Sequence, residues 1–224
     1  MKRRNFNKTF ATSIAGLTLS NNLFSNNDKK NKLGVALVGL GSYSKNALGP
    51  ALTETKLCKL SAVVTGSIEK HDYWKKQYGL KDSQIYNYEN FNSIAENDEI
   101  DIVYIVLPNN MHKEFSIKAL ECGKHVICEK PMAMNAMEAE EMIKVSKKVK
   151  KDLFIGYRLH YDPYHLECMK YCKNETFGKL NVVLAEFGYG ISNNNHWKLK
   201  KSFGGGALMD VGIYAIQAAR YCTG

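Results

Sequence analysis

Leu33-Gly34-Val35-Ala36-Leu37-Val38-Gly39-Leu40-Gly41-Ser42-Tyr43-Ser44 is the stretch that decides the fold. The apolar run Leu33 to Val38 has the length and content of a buried parallel strand. It leads into Gly39-Leu40-Gly41, and Lys45 to Leu52 can form the helix that follows. Strand, glycine turn and helix are the setting in which a dinucleotide fingerprint carries meaning. Gly39 permits the tight turn, and Gly41, flanked by Leu40, Ser42 and Tyr43, lets a pyrophosphate approach the backbone at a helix N-terminus. The third fingerprint position holds Ser44 rather than glycine. The match is therefore incomplete, and the same turn occurs in doubly wound proteins generally.

Working outward, Lys59–Val64, Asp101–Leu107, His125–Cys128 and Leu153–Ile155 read as further strands. Between them, Glu69–Tyr78, Asn90–Glu96, His112–Cys122 and Met137–Lys150 read as helices, the first stopped by Gly79 and the third by Gly123. This alternation predicts an α/β fold, a Rossmann-type doubly wound parallel sheet. After Gly156 the pattern changes to a helix over Asp162–Lys173, a longer strand over Asn181–Tyr189 and a polar loop over Asn193–Lys201. Gly204-Gly205-Gly206 then opens a helix running through Tyr221. The expected organisation is a leader and linker over 1–32, an NAD(P)-binding domain over 33–155 and the first part of a second domain over 156–224. A helix and one strand cannot make a core of their own, so that second domain reads as incomplete.

The chain has 224 residues, 45% hydrophobic and 24% charged, which are ordinary globular values. Its net charge of +9 looks like a nucleic-acid signal until it is located. Lys2, Arg3, Arg4, Lys8, Lys29, Lys30 and Lys32 stand against Asp28 alone, so about two thirds of the excess lies before residue 33. That argues against a nucleic-acid-binding face. Arg3-Arg4-Asn5-Phe6-Asn7-Lys8 precedes a modest apolar stretch and resembles a twin-arginine export signal, which points to the periplasm, or to the cytoplasm if the leader does not function. The stretch is too short and polar for stable membrane insertion. Six cysteines, at 58, 122, 128, 168, 172 and 222, form no C-x-x-C pair. Cys168 and Cys172 lie one helical turn apart without a matching histidine cluster, so no metal and no disulfide framework is expected.

The end of the second strand carries no carboxylate to hold a ribose, only Ser67 with Lys70 three residues on. A hydroxyl and a cation suit a 2′-phosphate, which favours NADP over NAD; Lys70 reads also as a solvated lysine beside Lys75 and Lys76. Lys130 follows a strand directly, between Glu129 and Pro131, where open α/β sheets bind ligands. Asp210 and Tyr214 are four residues apart and share one helix face. An ammonium ion beside a phenol lowers its pKa of about 10, so Lys130 near Tyr214 would let the phenol exchange a proton with a hydroxyl during hydride transfer. On spacing alone, Asp210 and Tyr214 read as ordinary helix residues.

Five stretches carry a resemblance: Val38–Tyr43, Leu107-Pro108-Asn109-Asn110-Met111-His112, Gly123–Ala133 with its Glu129-Lys130-Pro131 corner, Ile155–Pro163 and Gly204–Tyr214. The chain is similar to the glucose–fructose oxidoreductase/inositol dehydrogenase (Gfo/Idh/MocA) family, and most to the glucose–fructose oxidoreductase subgroup. The resemblance implies tightly held NADP and sugar substrates, with a sugar such as glucose oxidised to its lactone and a second sugar reduced. It implies that Lys130 is the catalytic lysine, Asp210 a substrate-binding aspartate and Tyr214 an acid–base tyrosine where inositol dehydrogenase-like members place histidine. It also implies cofactor contacts from the glycine turn, from Leu107, Pro108, Asn109 and His112, from Glu129 and Lys130, and from Arg158 and Trp197. Lys198 stands where an arginine is expected. The family's second domain is a mostly antiparallel sheet that mediates homo-oligomerisation, and this chain reads as a fragment or truncated frame of such a protein. The competing functions are cofactor binding without turnover and nicotinamide-dependent glycoside hydrolysis on the same fold.

Overall fold

The computed structural model describes residues 32–224, so the export-leader reading lies outside the described residues. Six parallel strands form one sheet in the order β3-β2-β1-β4-β5-β6: β1 (Leu33–Val38), β2 (Cys58–Val64), β3 (Ile85–Tyr86), β4 (Ile102–Ile105), β5 (His125–Glu129) and β6 (Leu153–Gly156). The chain order reverses beside β1, so the crevice beyond the C-terminal ends of β1 and β4 is the topological switch point.

Alternate residues of β1 feed two separate cores, as the two-residue strand period requires. Leu37 and Val35 pack with Trp74 and Leu80 under α1 (Gly49–Glu54) and α2 (His71–Tyr78). Ala36 and Val38 pack with Phe115, Leu120 and Met142 under α3 (His112–Glu121) and α4 (Ala136–Val149). Helices thus cover both faces, and the central strands are apolar throughout because neither face meets water. Local signals end the helices where the sequence suggests. Gly79 and Gly123 take left-handed backbone at φ 69° and 75° after α2 and α3. The Asn135 side chain accepts from the Glu138 N–H at 3.0 Å to start α4.

Two expectations are corrected. The sheet has an additional edge strand, β3, whose two residues are too few to show a period in the sequence. Asn181–Tyr189 forms no strand: among the described residues no strand lies beside it, and an isolated strand has nothing to satisfy its backbone groups. Its apolar side chains are correspondingly open, with Leu184 91% exposed. The remaining helices are α5 (Pro163–Lys173), begun by the Asp162 carboxylate accepting from the Tyr164 and His165 amides, and α6 (Ile213–Thr223). A π-helical turn over Leu208–Gly212 leads into α6 and carries Asp210. No described helix is long and apolar enough to cross a membrane.

Candidate active site

The glycine turn after β1 explains its own departures from the fingerprint. Gly39 has φ 92°, and a Cβ there would lie 2.4 Å from the Val106 carbonyl oxygen, so only glycine fits. Ser44 is fully buried and its hydroxyl donates to the Gly39 carbonyl, closing the turn with a side chain that glycine lacks. At Gly41 a Cβ would meet nothing within 4 Å: the backbone faces open space. The following helical turn starts with the Lys45 N–H bonded to the Gly41 carbonyl, which leaves the amides ahead of it without intrahelical partners.

That open space is one side of a cleft of about 720 Å³, within the size range of small-molecule sites. Gly39 to Tyr43 line one wall, with Lys70 from the segment after β2. Leu107, Pro108 and Asn109 follow β4, and Glu129 and Lys130 close the end of β5. Arg158, Trp197, Lys198, Asp210 and Tyr214 complete the cleft from the later part of the chain. Two of the sequence candidates lie off this wall. Ser67 is not among the lining residues, and its amide donates to the Thr65 hydroxyl at 3.2 Å. His112 is fully buried, with Nδ1 2.7 Å from the Pro131 carbonyl and Nε2 2.9 Å from the Leu107 carbonyl. It ties the turn after β4 to the corner after β5 rather than facing the cleft.

The chemistry concentrates where β5 meets the turn before α6. Lys130 Nζ donates to the Asp210 backbone carbonyl and lies 3.3 Å from Asp210 Oδ1, with both side chains largely withdrawn from water. Lys198 Nζ reaches Asp210 Oδ2 at 3.1 Å and donates to the Tyr189 hydroxyl at 2.8 Å; that hydroxyl is also hydrogen-bonded to Asp210. Burial lowers the Lys130 pKa, with Asp210 opposing the shift. Burial by itself would raise Asp210, but the hydrogen bonds from Tyr189 and Lys198 and the nearby ammonium charges hold its carboxyl below the usual range.

Tyr214 behaves differently from the expectation. Lys130 Nζ sits over the face of its ring, 4.7 Å from the centroid. Burial raises the phenol pKa, and the cation that opposes this is Arg158, through its charge and a hydrogen bond. The corner is braced from behind by Tyr104, whose hydroxyl donates to Glu129 Oε1 at 2.7 Å, while burial raises the Glu129 pKa. A Cβ on Gly156 would fall 2.8 Å from Glu129 Oε1 and 2.9 Å from the Tyr104 hydroxyl, so this glycine makes room for the pair. Sequence reasoning missed Tyr88, Asn46 and His196 on the cleft wall and Tyr189, which is hydrogen-bonded to Asp210. None belongs to a local motif; the pairing of Tyr189 with Asp210 exists only in the fold.

The fit to a dinucleotide rests on these observations: open backbone at Gly41, unbonded first-turn amides, a cleft at the switch point and a cation, Lys70, at its edge. Fold and cleft together define a dinucleotide-binding α/β protein. More narrowly, the chain belongs to the GFO/IDH/MocA oxidoreductase family: the family's NAD-binding Rossmann-fold model matches residues 33–157, and its C-terminal domain model matches residues 165–224. Aldose–aldose oxidoreductase from Caulobacter crescentus, solved in complex with glycerol, is 39% identical with a TM-score of 0.83, over 86% of this chain and 58% of that one. The D-xylose 1-dehydrogenase [NADP(+)] of Haloarcula marismortui is 29% identical over 85% of this chain and 54% of its own length. A point mutant of KijD10, a 3-ketoreductase from Actinomadura kijaniata solved with TDP-benzene and NADP, is 25% identical with a TM-score of 0.79, over 87% of this chain and 58% of that one. The chain therefore spans a little over half the length of these relatives.

Proposed function

We propose that this chain carries the cofactor site and catalytic centre of an NADP-dependent sugar oxidoreductase of the glucose–fructose or aldose–aldose type. The observation that carries the reading is the Lys130–Asp210–Lys198 cluster, set in the same cleft as the glycine turn. A nicotinamide bound there would supply the hydride acceptor or donor. Preference for the 2′-phosphate is supported by Lys70 on the cleft wall and by Thr65-Gly66-Ser67, which offers no carboxylate to repel it. The NADP in the names of the xylose dehydrogenase and ketoreductase relatives supports the same choice.

Lys130 is the group suited to move the proton of a sugar hydroxyl. Burial weakens its hold on its own proton, while Asp210 fixes Nζ in place. Tyr214, whose pKa burial raises, keeps its proton and orients the hydroxyl as a hydrogen-bond donor. Asp210 stays ionised and positions the two lysines that flank it. The test is a single turnover: protein loaded with NADP is mixed with excess aldose, and nicotinamide reduction is followed by absorbance. Reduction is expected. NADP binding without reduction by any aldose or polyol removes the oxidoreductase reading and leaves cofactor binding, and release of sugar from an aryl glycoside without net cofactor change favours hydrolysis.

A further inference from the structure

The fold assembles a second cluster of reactive side chains that the cleft does not use. Cys168 and Cys172 share one face of α5 by their four-residue spacing, and Cys222 comes from the last turn of α6, which packs against α5. The three Sγ atoms all lie within 4.8 Å of one another. None of them lines the cleft. The sequence hides this cluster, because its third member stands far along the chain and no C-x-x-C pair announces it.

We propose that Cys168, Cys172 and Cys222 form a three-thiolate site for a closed-shell thiophilic cation, zinc(II) or copper(I), which clamps α5 to α6. Three converging sulfurs are one more than a disulfide uses, and thiolate is the ligand that soft cations select. With metal–sulfur bonds of about 2.3 Å, the sulfurs of a tetrahedral site lie roughly 3.8 Å apart, so the thiols need close in by only about 1 Å. Cys168 is exposed while Cys172 and Cys222 are half-buried, which gives a cation an entry path and leaves one coordination position open to water. Each thiol releases its proton to solvent as its metal–sulfur bond forms; no oxidant or reductant takes part.

The experiment uses the reduced, metal-free chain under anaerobic conditions, titrated with cobalt(II) as a spectroscopic stand-in for zinc and separately with copper(I) against a competing chelator. One equivalent should bind, with thiolate-to-metal charge-transfer absorption. Serine at any of the three positions should remove that band, whereas the double variant C58S/C122S should keep it. A measurement independent of variant folding is alkylation of the wild-type chain mapped by mass spectrometry: metal should protect Cys168, Cys172 and Cys222 together. Equal alkylation with and without metal, or a band that survives the triple serine variant, overturns the proposal. So does a Cys222 disulfide whose reduction restores free thiols but no metal binding.

Discussion

The two parts of the described chain are built on different principles. Among the described residues, those from Val35 to Leu159 supply every buried apolar side chain, including Trp74 at 1% exposure, whereas from His160 onward only Gly204 is buried. The first part is held by a core on each face of the sheet. The second is held to it by a few contacts: Lys130 to Asp210, the Asn109 side-chain amide donating to the Gly204 carbonyl at 2.8 Å, and the Tyr157 ring packed against those of Tyr214 and Tyr221. The cleft lies across that divide. Its rigid wall can therefore be very stable while the residues opposite are set by a few directed bonds, and such regions open locally at lower cost.

The contrast can be broken at several points. Lys130→Met removes a charged side chain that belongs to the core part and reaches the other; turnover should fall by roughly 10²–10⁴-fold with far less effect on NADP affinity, read by single-turnover absorbance and titration calorimetry. Trp74→Ala empties a core position and should cost about 3–5 kcal/mol in urea unfolding, while Leu184→Ser on the unpaired segment should change stability by less than about 0.5 kcal/mol. If Leu184→Ser destabilises as much as Trp74→Ala, the contrast is wrong. Asn109→Ala leaves the Gly204 carbonyl without its buried donor and should cost about 1–3 kcal/mol, with greater protease sensitivity after residue 160 than before it.

The smallest effect is on pH dependence. The Asp210 carboxyl stays ionised in the fold at pH values where the unfolded carboxyl, at 3.8, takes up a proton. Its contribution is complete above 3.8 and is lost as pH falls through the lower folded value. Asp210→Asn should therefore lose less of its urea midpoint than the wild type when both are moved from neutral pH to below the carboxylate range. An equal drop in both would remove the Asp210 contribution.

Much of the sheet is legible in the sequence because its causes are local. Leu33–Val38 and Ile102–Ile105 are apolar at nearly every position, and Gly79 and Gly123 end helices through their own backbone preference. Ile85–Tyr86 escapes because two residues show no period; its pairing comes from Val63 and Val64. Asn181–Tyr189 misleads for the opposite reason: its alternation is real, but a strand needs a neighbour, and the described residues provide none.

The site divides the same way. Sequence by itself determined the glycine turn and the lysine at the end of β5, since each depends on a handful of adjacent residues. Tertiary structure decided that Lys130 stacks on the Tyr214 ring, that Arg158 is the cation acting on its phenol, that Tyr189 and Lys198 hold Asp210, and that Cys222 joins Cys168 and Cys172. The physical reason is range. Backbone preference and hydrophobic period act over a few residues and are written in the order of the chain, whereas burial, charge and hydrogen bonding act over a few ångströms between residues that only the fold makes neighbours.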